Sequence, residues 1–157
     1  MRGNEKVIAE LNTALSAELT AIVQYIVHSE MCDNWGYRRM AAYIKKQAID
    51  EMRHAEGLVE RILFLDGTPQ VNLSLNPKIG PTLKAQLDND LAAELGAVKE
   101  YNGAVKVCVA AGDNGTRELF EKMVKDEEQH ADFLETQIQL VSEVGLDNYL
   151  AQQMHNA

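Results

Sequence analysis

Proline is nearly absent. The chain has three, all between positions 69 and 81, so nothing interrupts a helix elsewhere. Cysteine is as scarce: Cys32 and Cys108 stand alone, and no Cys-x-x-Cys exists to build a zinc ribbon or a rubredoxin-like iron site. No apolar run approaches the roughly 18 residues of a membrane span, and no charged-then-apolar leader opens the chain. These absences predict a cytoplasmic protein without a membrane partner, whose two cysteines are core thiols in a reducing compartment. Positive charge is in deficit too. The net charge of −9 disfavours nucleic acid as a partner. It fits either a surface tuned for solubility or an acidic shell or cavity that attracts cations.

What is present is helical periodicity. The 157 residues suffice for one domain, read as 1–157, and 46% hydrophobic with 25% charged residues suit a globular chain. Apolar residues stepping by three and four predict helices over about 5–34, 37–65, 82–111 and 116–144, with Gly36, Asp66-Gly67-Thr68-Pro69, Gly112 to Gly115 and Gly145 as breaks. Pro81 is placed in the first turn of the third helix. A short fifth helix is expected over 147–154. Between helices two and three, residues 66–80 read as an extended connection with Val71, Leu73 and Leu75 alternating inward. Fifteen extended residues span up to roughly 50 Å. A helix of about 28 residues is about 42 Å long. The segment can therefore run the length of a bundle, which predicts a long crossover rather than a hairpin.

The two halves repeat. Asp50-Glu51-Met52-Arg53-His54 returns as Asp126-Glu127-Glu128-Gln129-His130, and at the same offset Glu18 returns as Glu94, Tyr25 as Tyr101 and Cys32 as Cys108. Each half is one helix hairpin, and two hairpins related by a pseudo-twofold make an all-α four-helix bundle.

On every long helix one carboxylate occupies an apolar slot: Glu18, Glu51, Glu94 and Glu127. In each Glu-x-x-His the two side chains share a helix face, which adds His54 and His130. Burying an unpaired carboxylate costs several kcal/mol, and clustering like charges adds repulsion. No lysine or arginine lies on these stripes. Two divalent cations would balance four glutamates, and oxygen-plus-imidazole ligation suits Fe, Mn or Zn. One Glu from each of two helices with Glu-x-x-His from each of the other two is the known pattern of carboxylate di-iron and di-manganese bundles.

The chain resembles the bacterioferritins over nearly its whole length. The likeness is carried by Asn34-Trp35-Gly36, the two Glu-x-x-His segments, Glu60 to Gly67, and Gly145-Leu146-Asp147-Asn148-Tyr149-Leu150. The resemblance implies a ferritin-like subunit of a hollow 24-copy shell built from twofold dimers. It implies a di-iron centre with Glu18, His54, Glu94 and His130 as terminal ligands and Glu51 and Glu127 as bridges. The implied reaction is oxidation of Fe2+ by O2 or H2O2, with ferric mineral stored inside the shell.

Met52 follows Glu51, so it points about 100° away from the centre. By itself such a methionine reads as core or interface filler. The resemblance makes it an axial ligand of haem b or a related iron porphyrin, one per two subunits, assisting iron release with a ferredoxin as redox partner. Tyr25 stands two turns from Glu18 and is either a hydrogen-bond donor to a ligand carboxylate or a core tyrosine; Tyr101 mirrors it. The resemblance places Asn34, Asp66 and Asp132 on an ion route through the shell, with Gln139 where an acidic residue is expected. It places Asp50 at an inner-surface iron site whose companion histidine is replaced by Lys46. Asn148 and Gln152 line a fourfold channel or sit on a solvated helix. His28 and His155 read as surface or interface residues. The competing function is a di-metal peroxidase or catalase-like enzyme without mineral storage, and a third reading is a metal-binding shell that turns over poorly.

Overall fold

The computed structural model describes residues 1–71 and 75–156. Five helices follow one another: α1 (Glu5–Asn34), α2 (Arg38–Phe64), α3 (Leu83–Ala111), α4 (Asn114–Val144) and α5 (Leu146–Gln153). α1 pairs with α2 and α3 with α4, and the hairpins meet chiefly through α1 against α3. This is a ferritin-like four-helix bundle with a short C-terminal helix.

The helix ends follow local chemistry. Asn4 caps α1, its Oδ1 accepting from Lys6 N at 2.8 Å and Val7 N at 3.3 Å. Gly36 turns the chain into α2 at φ 91°. Pro81 is not in the first turn of α3: Thr82 is the cap, accepting from Ala85 N at 3.2 Å, and Pro81 precedes it. α4 begins at Asn114, inside the stretch read as a break. Asp113 caps it, accepting from Thr116 N at 2.9 Å, while Arg61 of α2 holds Asp113 at 3.0 Å and Thr116 at 2.9 Å. A tertiary ion pair thus extends the helix into a glycine-rich turn.

On either side of residues 72–74 the crossover is pinned to α1 by polar groups. Asn12 receives Gln70 N at 2.7 Å, Gln24 receives Lys78 N at 2.9 Å, and His28 receives Gly80 N at 3.0 Å. These anchors climb α1 from its first third to its last turns, so the connection carries the chain from one end of the bundle to the other. The expected inward alternation fails at Val71. Val71 is exposed and Leu75 half-buried, because backbone hydrogen bonds to α1 rather than apolar burial fix this path; Leu73 lies outside the described residues. Gly80 packs so closely on α3 that a Cβ would sit 2.5 Å from Gln86 N.

His28 is a correction. It is fully buried, not at the surface. Gly80 N–H donates to its Nε2, so its Nδ1 carries the proton and donates to Asp90 at 2.9 Å. Gln24 also donates to Asp90, at 2.8 Å. Lone histidines give no periodic signal, and nothing in the spacing pairs His28 with Asp90 of α3. Cys32 and Cys108 are free, buried thiols; burial, helped by Asp90, pushes Cys32 up to about 12.

The apolar core comes in two pieces. One joins Leu11, Leu15, Leu58, Ile62, Tyr101 and Phe120; the other joins Tyr25, Met40, Ile44, Leu87, Leu134 and Tyr149. Between them lies a polar layer.

Candidate metal centre

Each long helix sends one carboxylate into that layer. Glu18 is 1% exposed, Glu51 0%, Glu94 2% and Glu127 2%, with His54 and His130 at 8% each. They form two overlapping clusters, Glu18–Glu51–His54–Glu127 and Glu51–Glu94–Glu127–His130, each offering ligand atoms within 4.8 Å of one another. The described ion pairs of these glutamates are to the two histidines alone.

The hydrogen bonding is incomplete in a patterned way. Glu18 Oε2, both oxygens of Glu51, His54 Nδ1, Glu94 Oε2, Glu127 Oε1 and His130 Nδ1 are buried without a partner. Buried polar atoms are normally satisfied. Orphaned atoms from six residues on four helices, converging on one volume, fit a pair of cations. Glu51 and Glu127 belong to both clusters, so they face both positions; Glu18 with His54 and Glu94 with His130 face one each. The donor set of four carboxylates and two imidazoles suits hard to borderline metals such as iron, manganese or zinc.

The tyrosines cross the bundle. Tyr25 of α1 donates to Glu94 of α3, and Tyr101 of α3 donates to Glu18 Oε1 of α1 at 2.5 Å. Tyr25 therefore supports the carboxylate opposite, not the one on its own helix. Burial, then the facing carboxylates, holds both phenols well above their usual range and keeps them protonated donors.

The outer edges of the histidines are held unequally. His54 Nε2 lies 2.9 Å from Asp126 Oδ2, which Lys122 holds at 2.8 Å. His130 Nε2 lies 3.5 Å from Asp50 Oδ2. With Nε2–H turned to a carboxylate, Nδ1 faces the centre. The repeat sets Asp126 against Asp50, but nothing in the spacing marks Asp126 or Lys122 as the support of His54. Asp50 thus sits beside His130, while Lys46 is exposed. Asp50, Arg53, Lys122, Asp126 and Gln129 line a cavity of about 240 Å³ against the two imidazoles. On the opposite side a groove of about 850 Å³ between α1 and α3 reaches Glu18 and Glu94 past both phenols.

Without a cation the centre holds protons. Burial raises Glu18 well above the usual carboxylate range, with Glu51 adding to it. Burial and then the charges of Glu94, Glu51 and Glu18 raise Glu127 far above it. Glu51 is buried as deeply, yet the neighbouring Glu18 and the two imidazoles close beside it outweigh that burial and lower it. Burial disfavours charge on the imidazoles, but the carboxylates of Glu18 and Glu51 beside it push His54 up to about 11, and those of Glu51 and Glu94 push His130 up to about 10.

The other candidates are dispersed. Met52 is 46% exposed on the outward face of α2, with Ile49, 39% exposed, one turn before it. Asn34, Asp66 and Asp132 are exposed and come from the end of α1, the end of α2 and the middle of α4. The first two lie at opposite ends of one hairpin, so a single chain does not bring them together. Gln139 bonds Glu143 at 2.8 Å. Asn148 bonds Val144 O at 2.8 Å, and Gln152 and His155 are exposed. No helix among the described residues is long and apolar enough to cross a membrane.

Comparison with known proteins gives one answer. Residues 8–144 match the Ferritin family, described as a ferritin-like domain. A bacterioferritin of Mycolicibacterium paratuberculosis is 43% identical over 152 residues, covering 97% of this chain and 96% of that protein. One from Mycobacterium bovis is equally similar over the same shares, and one from Rhodobacter capsulatus is 44% identical over 146 residues, covering 92% and 90%.

Proposed function

Since this chain belongs to the bacterioferritins, within the ferritin family, we propose that it stores and detoxifies iron, acting as a ferroxidase that oxidises Fe2+ with O2 or H2O2 and deposits ferric mineral inside a 24-copy shell. The observation that carries this reading is the convergence of unpartnered ligand atoms from Glu18, Glu51, His54, Glu94, Glu127 and His130. Four carboxylates match the charge of two Fe2+ ions, with Glu51 and Glu127 shared and the other four terminal. Oxidation raises the cargo's charge to a value four carboxylates no longer balance, which favours its departure. The cavity beyond His54 and His130, flanked by Asp50 and Asp126, offers a way on. On the other side the groove between α1 and α3 reaches the centre from solvent.

Met52 and Ile49 present a thioether beside an apolar surface on α2, which suits one face of a haem shared by two copies in a twofold dimer. A haem bound there would carry single electrons inward from a ferredoxin to reduce stored iron. Asn34, Asp66 and Asp132 would form an ion route only where neighbouring copies meet.

The test is iron loading. Fe2+ is added without oxygen, then oxidant, and iron per particle is counted along with particle mass. Storage gives hundreds of irons per particle of 24 chains. Saturation at two irons per chain rejects storage in favour of a peroxidase or catalase-like enzyme.

A further inference from the structure

We propose that Tyr101 is a positioning residue for the Glu18–His54 half of the centre, the counterpart of Tyr25 in the Glu94–His130 half. The proposal rests on the di-metal reading above. Each terminal glutamate has two oxygens in different situations. Glu18 Oε1 accepts from Tyr101 at 2.5 Å while Glu18 Oε2 has no partner; Glu94 Oε1 accepts from Tyr25 while Glu94 Oε2 has none. Glu51 meets no phenol, and both its oxygens are unpartnered.

The division has a chemical consequence. Once a cation has displaced the proton, a hydroxyl donating to the carboxylate makes a short, strong bond and fixes the carboxylate's rotation. Glu18 Oε2 and Glu94 Oε2 are then the oxygens left free to meet a cation. Glu51, held by no phenol, would keep both oxygens for the pair, and Glu127 Oε1 is likewise unpartnered.

Tyr101 is placed to do this rigidly. It is 1% exposed, and its ring packs on Phe120 with centroids 5.9 Å apart. It starts on α3, seven residues after Glu94, yet its hydroxyl reaches α1. Each phenol therefore also ties one hairpin to the other across the centre. The two phenols thereby give the two terminal carboxylates the same support, which keeps the positions close in strength although the outer edges of His54 and His130 are held unequally.

The test uses the assembled apo protein and Co2+ alone. Uptake is followed by visible absorption and equilibrium dialysis, and position by anomalous scattering from crystals given one Co2+ per chain. Wild type takes a pair of Co2+ with comparable affinities and fills both positions evenly. Tyr101→Phe keeps the ring and removes the donor. One affinity then falls about tenfold, the size expected for a lost hydrogen bond to a charged group. The scatterer collects at Glu94–His130. Tyr25→Phe gives the mirror result, and the double variant restores even filling with both positions weakened. Unchanged affinities and even filling in Tyr101→Phe overturn the role of Tyr101 and leave the centre standing. A wild type that takes up no pair overturns both.

Discussion

Glutamine in place of Glu127 makes the apo protein more stable, by an amount that grows with pH. Glu127 is 2% exposed among three other carboxylates, and burial together with those charges keeps it protonated at neutrality. In the unfolded chain it ionises near the ordinary value of 4.5. The folded value is raised, so stability is greatest below 4.5 and erodes as pH climbs. At 1.36 kcal/mol per pH unit, holding that proton costs about 3.4 kcal/mol at pH 7 and about 1.4 kcal/mol at pH 5.5. Glutamine has the shape of the protonated acid without the cost. The variant should exceed wild type by those amounts, which for a chain of this size is about 7–14 °C in Tm at pH 7. Scanning calorimetry on chelator-treated protein at several pH values measures it, with particle mass as a check on assembly. Adding Co2+ narrows the gap: wild type gains about 2.7 kcal/mol per cation at a hundredfold excess over Kd, and the variant gains less. A gap that does not change with pH, or an apo variant weaker than wild type, refutes the account of a site strained by its own charges.

Metal uptake should expel protons, because His54 and His130 hold theirs to about 11 and 10 and Glu18 is also raised. Affinity for Co2+ then rises from pH 6 to 8, and an unbuffered titration releases at least two protons per pair; none released contradicts the protonated apo centre. Met52→Ala should abolish the Soret band of purified protein while Fe2+ oxidation persists, and a full band in the variant removes Met52 as the haem ligand. His28→Ala leaves Gly80 N–H and one side of Asp90 without partners, which should cost about 2–5 kcal/mol in urea unfolding; a loss under 1 kcal/mol would show the latch to be idle. Asp113→Ala removes a cap and the anchor of Arg61, for a loss of about 1–2 kcal/mol. Because Asp113 is held below its usual 3.8, with Thr116 and Arg61 overcoming burial, wild type loses that advantage as pH falls through the folded value, and the variant does not.

The helices and the six side chains that converge between them were readable in the sequence because both are periodic. A carboxylate in an apolar slot breaks a stripe, and the repeat sets each break against its partner. What escaped was contact across the bundle. Periodicity places Tyr25 near Glu18 on one helix face but is silent on the hydroxyl's reach to Glu94. It gives no sign that Asp90 waits for His28 or that Asp126 backs His54. Val71 was misread for a related reason: strand-like alternation was assumed in a segment whose order comes from side chains on α1 gripping its backbone.

The split core has a mechanical meaning. Hydrocarbon grips the bundle near its two ends, while its waist contains mutually repelling acids. Cations bound there would fasten that waist. The metal-free subunit is therefore softest in the middle, where amide exchange should run fastest, and metal would stiffen it as a clasp does a belt.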